Sequence, residues 1–587
     1  MKCGTFSFKT LFRKDLTRFA PFWGGYFLCL ILGLLMLADG STMLAVNLAE
    51  LPQLMALVNF CYAFLMADLL FGDLYSPRMC SGIHALPLRR EGIFAVHTAA
   101  GMVFSLIPTA GMTALALVLI QGAEVAGAWQ IPLWWLLAAN LQYLFFFGLA
   151  VLCALWAGNR LGHGLLYAMA NLAAAGLGVV ADVYYTPLLF GVVTPMESFF
   201  RFCPLLGMAD SRLMEESYAQ DVDFLTLGEG WGYLAACAGV GILLLMAAVF
   251  VYRKRKLETA GDLLAVEFLK PLFLVGMSLG TGWALTVFVS SYDVYENNHY
   301  FLTALGMILG WFVGKMLLER KIRVFRLKSA AALACLMAVM AVSLLLTRMD
   351  IFGISDWVPQ AHQVETAQLG FYGWGRTGSV QSAIRFQELA LEERLDPELS
   401  YNEEYALVRM EYELKNGRRV TRQYCIRVDS EAGEILRKVS SSPEALLGPE
   451  LLALDWGRQL ETVSFASWAG SFELPEEYRT EADLNSLKAA IVADCEAGTM
   501  SPYDGFHDTP VFTTGGEAPD TVNGERPTVE STEHWEYSWS VVLDGGDIYR
   551  HLNVYSDSEN TMKWLKDRGI ADSLEESVRD YLAGFRD

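Results

Sequence analysis

The residues of this 587-residue chain that could do chemistry are few. Gly314-Lys315 is followed by Met316, and no G-x-x-x-x-G-K-[ST] run occurs, so the parts of a Walker phosphate loop are missing. No H-E-x-x-H sets two imidazoles on one helical face, no G-x-S-x-G presents a serine at a strand-to-helix elbow, and no C-x-x-C pair offers a thiolate chelate. His507 with Asp504 and Asp508 is the one local metal-like set, and a solvated polar loop is the better reading of it. The expectation is a non-enzyme without its own cofactor or metal. Ionisable residues inside apolar runs mark function by default. Here they are Asp68, His97, Asp182 and Lys315. Asp68 and Lys315 stand near run ends, where long or polar side chains reach the interface. His97 is one turn into its run and Asp182 is the deepest toward the far end. No chain of carboxylates for a proton relay emerges, which weighs against ion-coupled transport.

The more informative stretch is basic: Asp73 to Glu91, DLYSPRMCSGIHALPLRRE, between two long apolar runs. Its candidate residues are Tyr75, Arg78, His84, Leu86, Pro87, Leu88, Arg89 and Arg90. Ser81-Gly82 reads as a helix break, with a short helix over 83–91 after it. Leu86 and Leu88 are then apolar knobs and Arg89 and Arg90 a charged rim, a composition suited to a partner's groove. A basic loop against lipid head groups reads equally well.

These residues need elements to hold them. The chain is 53% hydrophobic with a mean hydropathy of +0.32, and the apolar residues are clustered. In residues 1–20, Phe8, Leu11, Phe12, Leu16 and Phe19 share a helical face while Lys9, Arg13, Lys14 and Arg18 cover the rest, an interfacial amphipathic helix. Nine runs near the ~20 residues that span a bilayer follow, at 21–38, 51–71, 93–120, 131–156, 165–190, 231–252, 271–290, 300–318 and 329–347. With the N-terminus cytoplasmic, the inside segments hold 19 Lys and Arg and the outside loops hold two, Arg201 and Arg212. The C-terminal part then lies outside. Residues 191–230 begin aromatic and apolar but are broken by Pro195 and Pro204. They read either as a pair of re-entrant or interfacial helices or as an ordinary outer loop.

At residue 348 the composition changes. Residues 348–587 carry 22 Lys and Arg against 44 Asp and Glu, so the net charge of −21 belongs to this part. Such a domain repels nucleic acid and anionic lipid. Residues 405–414 and 420–428 alternate apolar and polar around Lys415-Asn416-Gly417, a hairpin, and 430–439 is a helix capped by Ser430. The order recurs at 535–543, 548–555 and a helix from Glu559, and helix-like stretches at 379–395 and 480–498 precede the two hairpins. The domain is therefore readable as two α+β subdomains, 348–450 and 451–587. Most of the ten Cys lie in apolar runs. Cys203, Cys425 and Cys495 would face outside; that odd number implies no disulfide framework, and a Cys425–Cys495 bond is left open.

FGDLYSPRMCSGIHALPLRREGIF (71–94) resembles the segment between the second and third spans of type-2 ABC transporter permeases. The N-terminal helix is similar to that family's connecting helix, and 191–230 to its extracellular hairpin. The likeness covers residues 1–252. The remaining spans, the outer domain and YRKRKLETAG (252–261) look like a Gram-positive subgroup. The resemblance implies an α-helical polytopic protein with an interfacial helix (1–20), a six-span core (21–252), three further spans (253–347) and an acidic extracytoplasmic α+β domain (348–587). It implies a bacterial plasma-membrane permease, an exporter, with no nucleotide site of its own. ATP and Mg would sit on a separate ATPase docked on the 72–92 loop, beside a second permease copy or paralogue. The rival is a receptor or envelope-stress sensor whose outer domain binds a ligand, and a membrane-embedded enzyme is a weaker third.

Overall fold

A computed structural model describes residues 8–571 except 39, 86–87, 124–126, 212, 220–221, 229, 291–298, 372–373, 402–403, 461, 468–469, 501–538, 545–548 and 555–557. Among the described residues nine helices are long and apolar enough to cross a membrane. They fall into one compact unit, residues 1–185 and 195–346; a second unit comprises 186–194 and 347–587.

The first unit opens with α1 (Phe8–Arg18), then spans one and two, α2 (Ala20–Leu37) and α3 (Ser41–Phe71). Helix α3 starts ten residues before the expected 51, and the presumed loop is part of it. Pro52 inside it forfeits one backbone bond, and its carbonyl accepts from Gln142 Nε2 at 2.8 Å. After α4 (Pro77–His84) come spans three to five, α5 (Arg90–Leu119), α6 (Ile131–Trp156) and α7 (Arg160–Val180), the last running into a π-helical turn, Ala181–Tyr185. Two short helices, α8 (Met196–Arg201) and α9 (Pro204–Asp210), and a hairpin, β1 (Met214–Ala219) and β2 (Val222–Leu227), lead to span six, α10 (Gly230–Lys254). Spans seven to nine are α11 (Leu269–Ser290), α12 (His299–Glu319) and α13 (Leu327–Arg348).

Span four is the centre. Trp135, Tyr143, Phe146, Phe147 and Ala150 are fully buried. Small residues let its neighbours approach backbone to backbone, as expected where lipid supplies no hydrophobic drive. A Cβ on Gly148 would lie 2.5 Å from the Gly241 carbonyl oxygen of α10. Halfway along, Asn59 donates to the Ala139 carbonyl (3.0 Å) and to Gln142 Oε1 (3.1 Å), Tyr62 to the Phe104 carbonyl (2.9 Å) and Tyr143 to the Gly101 carbonyl (3.0 Å). The broken 191–230 segment forms its two short helices and packs them on the spans. Phe199 lies against Gly178, Cys203 donates to the Asn171 carbonyl (3.1 Å), and Tyr233 of α10 donates to the Arg201 carbonyl (2.7 Å). The hairpin after them was not anticipated.

The second unit repeats one plan. β3 (Val364–Phe371), β4 (Trp374–Gly378), α14 (Val380–Glu393), β5 (Tyr405–Leu414), β6 (Arg419–Arg427) and α15 (Glu431–Ser440) form a sheet of order β4-β3-β5-β6 with two helices. After three short helices, α16 to α18 (Pro443–Leu446, Gly448–Ala453, Trp456–Gln459), come β7 (Thr462–Ser467), β8 (Gly470–Glu473), α19 (Glu481–Ala497), β9 (Trp539–Asp544), β10 (Tyr549–Val554) and α20 (Glu559–Asp567). Their sheet runs β8-β7-β9-β10, the same order position for position. Ser379, Ser430 and Thr480 cap α14, α15 and α19 through their side-chain oxygens, each satisfying an N–H that has no partner within the helix. Cys425 and Cys495 are free buried thiols in different halves, so no bond joins them. Burial raises both, Cys495 to about 12.

Residues 186–194, leaving span five, fold with this unit. Gln423 N–H donates to the Gly191 carbonyl (3.1 Å) and Val192 bridges Arg422, so the segment lines the free edge of β6. Four spans separate residue 194 from 347. An even number returns the chain to the same side of the bilayer, so this segment and the C-terminal unit share a side, as the nine-span count requires.

Candidate functional site

The loop after span two is built from its start. Gly72–Tyr75 makes a 3-10 turn, Ser76 is extended, and α4 begins at Pro77. Proline suits a first helical position because its φ is already helical and it brings no unpaired N–H. The helix therefore runs through Ser81-Gly82 instead of starting after it, and the expected helix over 83–91 is displaced toward the N-terminus. Ser81 Oγ donates to the Pro77 carbonyl (2.8 Å), and Gly82 costs only about 1 kcal/mol near the helix end. Pro77, Arg78, Met79, Ser81 and Gly82 are exposed while Cys80 is buried beneath them. Leu86, Pro87 and the side chain of His84 lie outside the described residues. Leu88 is half-buried. Arg89 is exposed and extended, and Arg90, half-buried, opens α5.

Arg255, one residue past span six, fixes the floor of this loop. It is buried, and its guanidinium donates to the carbonyls of Ala154 (3.0 Å), Leu155 (2.8 Å) and Leu74 (3.3 Å). The first two close the last turn of α6, where a cation meets carbonyls with no helical partner and the negative end of the helix dipole. The third is in the 3-10 turn that starts the loop. Burial lowers the Arg255 pKa, yet a guanidinium stays charged near neutral pH. Burial also pushes the Cys80 thiol up. Beside them the chain between spans four and five pairs with the chain after span six. Ala265 N–H donates to the Trp156 carbonyl (2.8 Å) and Gly261 N–H to the Gly158 carbonyl (2.7 Å), and Ala157 bridges Leu264. Gly158 and Gly162 are required there: a Cβ on Gly158 would sit 2.3 Å from the Asp262 carbonyl oxygen, and one on Gly162 2.0 Å from that of Leu263.

The ionisable residues singled out from the sequence are mostly paired. Asp68 lies between Arg160 Nε (3.2 Å) and His163 Nδ1 (3.4 Å), and His163 Nε2 faces the Ala150 carbonyl (3.0 Å). Asp68 is thus paired with the first turn of span five. His97 Nδ1 meets Asp15 Oδ2 at 2.8 Å with both side chains buried, which ties α1 to span three. Lys315 sits 3.7 Å from Glu319 one turn on. Asp182 is exposed in the π-helical turn, and its neighbours Tyr184 and Tyr185 bond Thr303 (2.5 Å) and Ser343 (2.7 Å) on spans eight and nine. Tyr75 keeps its hydroxyl buried without a hydrogen-bond partner among the described residues.

Asp15, His163 and Arg255 were not singled out from the sequence. Asp15 had a signal, standing four residues after Leu11 on the apolar face of an amphipathic helix. Arg255 stands in the YRKRK run, where nothing separates a buried cation from its solvated neighbours. Among the described residues no three His, Cys, Asp or Glu side chains could hold a metal, and the set at 504–508 lies outside them. The chain matches no family model, no curated protein and no solved structure.

Proposed function

We propose that this chain is the membrane subunit of an ABC-type exporter, driven by a separate ATPase that docks on the 72–92 loop. The observation that supports this most directly is the seating of α4. Its exposed face carries Pro77, Arg78 and Met79, Cys80 is buried beneath them, and the turn that leads into it is held through Leu74 by Arg255, which follows span six and also holds the end of span four. A push on α4 is then delivered to three spans at once instead of being absorbed by a slack loop. In this reading ATP and Mg belong to the ATPase, a second copy or paralogue completes the path, the N-terminus is cytoplasmic and the acidic unit is extracytoplasmic. Arg78, Arg89 and Arg90 pair with ATPase carboxylates, and Leu86, Pro87 and Leu88 fill its groove.

A sensor is the second reading. It draws on residues 186–194, which build the exit from span five into the outer unit. Affinity purification of the chain from its native membrane separates the two. A Walker-motif ATPase in stoichiometric amount is expected; its absence in mild detergent, with a signalling protein in its place, refutes the transporter. Leu88→Asp should lower ATPase recovery at least tenfold with expression intact, an interface hot spot being worth about 2 kcal/mol or more.

A further inference from the structure

The second unit keeps most of the large apolar side chains among its described residues inside. Among its described residues five such side chains are exposed, and four of them, Met349 (64%), Ile351, Phe352 (78%) and Ile354, stand in the six residues after span nine. The turn that presents them is well braced. Asp350 N–H donates to the Thr347 carbonyl and Gly353 N–H to the Asp350 carbonyl, both at 2.9 Å. The Asp350 carboxylate accepts from Ile354 N–H (2.8 Å) and Ser355 N–H (2.9 Å). Asp350 itself takes a left-handed φ of +42°, a conformation that aspartate adopts more readily than most residues with a side chain, and Gly353 one of +61°. Burial pushes the Asp350 carboxyl up, but the N–H bonds outweigh it and hold it below the usual range, so the one acid in the turn is spent on the backbone.

Span nine says what surrounds this turn. Its most apolar window is only 6% buried by the protein, with Val339, Val342 and Leu345 exposed, so it leaves the hydrocarbon among lipids. At ~3.5 Å per residue Phe352 lies within about 14 Å of Arg348, and the tight turn shortens that reach. The interfacial layer is about 5–8 Å deep on each side. We infer that residues 349–354 form a knuckle that inserts Met349, Ile351 and Phe352 into the interface of the leaflet where span nine ends, docking the second unit on the lipid surface. The occupant is lipid rather than protein because the helix feeding the turn is apolar and left almost uncovered by its own chain. The chemistry required is an apolar interface beneath zwitterionic head groups, since the rest of the unit is acidic and repels anionic lipid.

The test is thiol labelling of the full chain in phosphatidylcholine nanodiscs at one chain per disc. Phe352→Cys, Ile351→Cys and Lys415→Cys are each treated with a hydrophilic maleimide, the last reporting an exposed hairpin tip. The parent carries Cys3→Ser, Cys29→Ser, Cys61→Ser and Cys335→Ser, and background is then low because Cys80, Cys153, Cys203, Cys237, Cys425 and Cys495 are buried. A thiol in the interface is both shielded and disfavoured as thiolate, so the Phe352→Cys and Ile351→Cys thiols should react at least about tenfold more slowly than the Lys415→Cys thiol. Rates within threefold of the Lys415→Cys thiol overturn the proposal. Protection seen in native membranes but lost in the discs overturns it in favour of a protein partner. Should Phe352→Cys fail to fold, Ile351→Cys carries the same comparison. None of these outcomes depends on whether an ATPase binds the 72–92 loop.

Discussion

Replacing Arg255 with Met should loosen one end of the bundle and leave the rest intact. The side chain supplies two short hydrogen bonds to the last turn of α6 and a longer one to Leu74. Methionine keeps much of the apolar stem but leaves these buried carbonyls without a donor, at about 1–3 kcal/mol each. Counting the two short bonds, and allowing for the relief of burying a charge, the local cost is about 2–4 kcal/mol. Lysine, with a point charge in place of a fork, reaches fewer carbonyls and should fall between the two. A single unfolding temperature would blur the effect, because two units do not unfold as one transition. Amide hydrogen exchange in detergent reads it locally, since it reports opening of individual segments. Residues 72–84 and 150–158 should exchange about 30- to 1,000-fold faster in Arg255→Met, while 405–440 keeps its protection. Exchange within threefold of the parent in both segments would refute the clamp, and with it the mechanical link from α4 to spans four and six.

Asp15→Asn should release α1 from span three, with exchange over 8–18 rising by the equivalent of about 1–3 kcal/mol; a double-mutant cycle with His97→Gln should show non-additivity, and additive effects would mean the 2.8 Å contact carries no coupling. Gly191→Ala adds a Cβ 2.0 Å from the Tyr424 ring at a φ of +68°, whereas Gly417→Ala meets nothing at a φ of +77°. The second should cost about 1–2 kcal/mol and the first about 1–3 kcal/mol more, measured as stability of the C-terminal unit; equal costs would show that the 186–194 segment is not seated on β6. Asp483 bonds Thr480 and pairs with Arg568 at 2.6 Å, and these hold its carboxyl below the ordinary range. A depressed folded pKa adds stability that is complete above the unfolded value of about 3.9 and is lost as pH falls through the folded one. The stability gap between the parent and Arg568→Gln should therefore be flat from pH 7 to about 5 and close in stronger acid; a gap that widens in acid contradicts the assignment.

Where a single local pattern decides an element, the sequence was legible. The alternation at 405–414 returns as β5 at the same residues, and 420–428 as β6 one residue earlier at each end, because one buried face and a Lys-Asn-Gly turn leave a single register. The helices expected at 379–395 and 480–498 stand as α14 and α19 within a residue or two, each with its Ser or Thr cap. The hairpins β3–β4 and β7–β8 were missed. Their strands are short, and SFE in β8 and WGRTG in β4 carry too little alternation to announce a strand. The start of α3 was missed for the opposite reason: STMLAVNLAE is less apolar than the run after it, and Pro52 reads as a boundary. At the site, the basic loop stood out by charge, but its floor did not. Arg255 is 100 residues from its carbonyl partners in span four, and only the folded chain brings them together.

The duplicated plan of the C-terminal unit has a mechanical consequence. In both halves the fourth strand forms one edge of its sheet, β6 in the first and β10 in the second. At β6 the chain spends part of its own length: Gly191 and Val192 line that edge, Phe190 packs on Tyr424, and the Thr186 and Thr194 hydroxyls bond each other at the base of the excursion. The edge is thereby covered, which removes one template for unwanted pairing. The same segment gives the unit further covalent connections to the spans, through residues 185–186 and 194–195 in addition to 346–347. A domain hung from span nine alone could swivel on one connection. Here the first sheet is also joined by the chain to the π-helical turn that ends span five, whose Tyr184 and Tyr185 bond spans eight and nine. π-helical turns are costly and concentrate at functional positions. Span five is thus joined to the C-terminal unit by the chain as directly as span nine is.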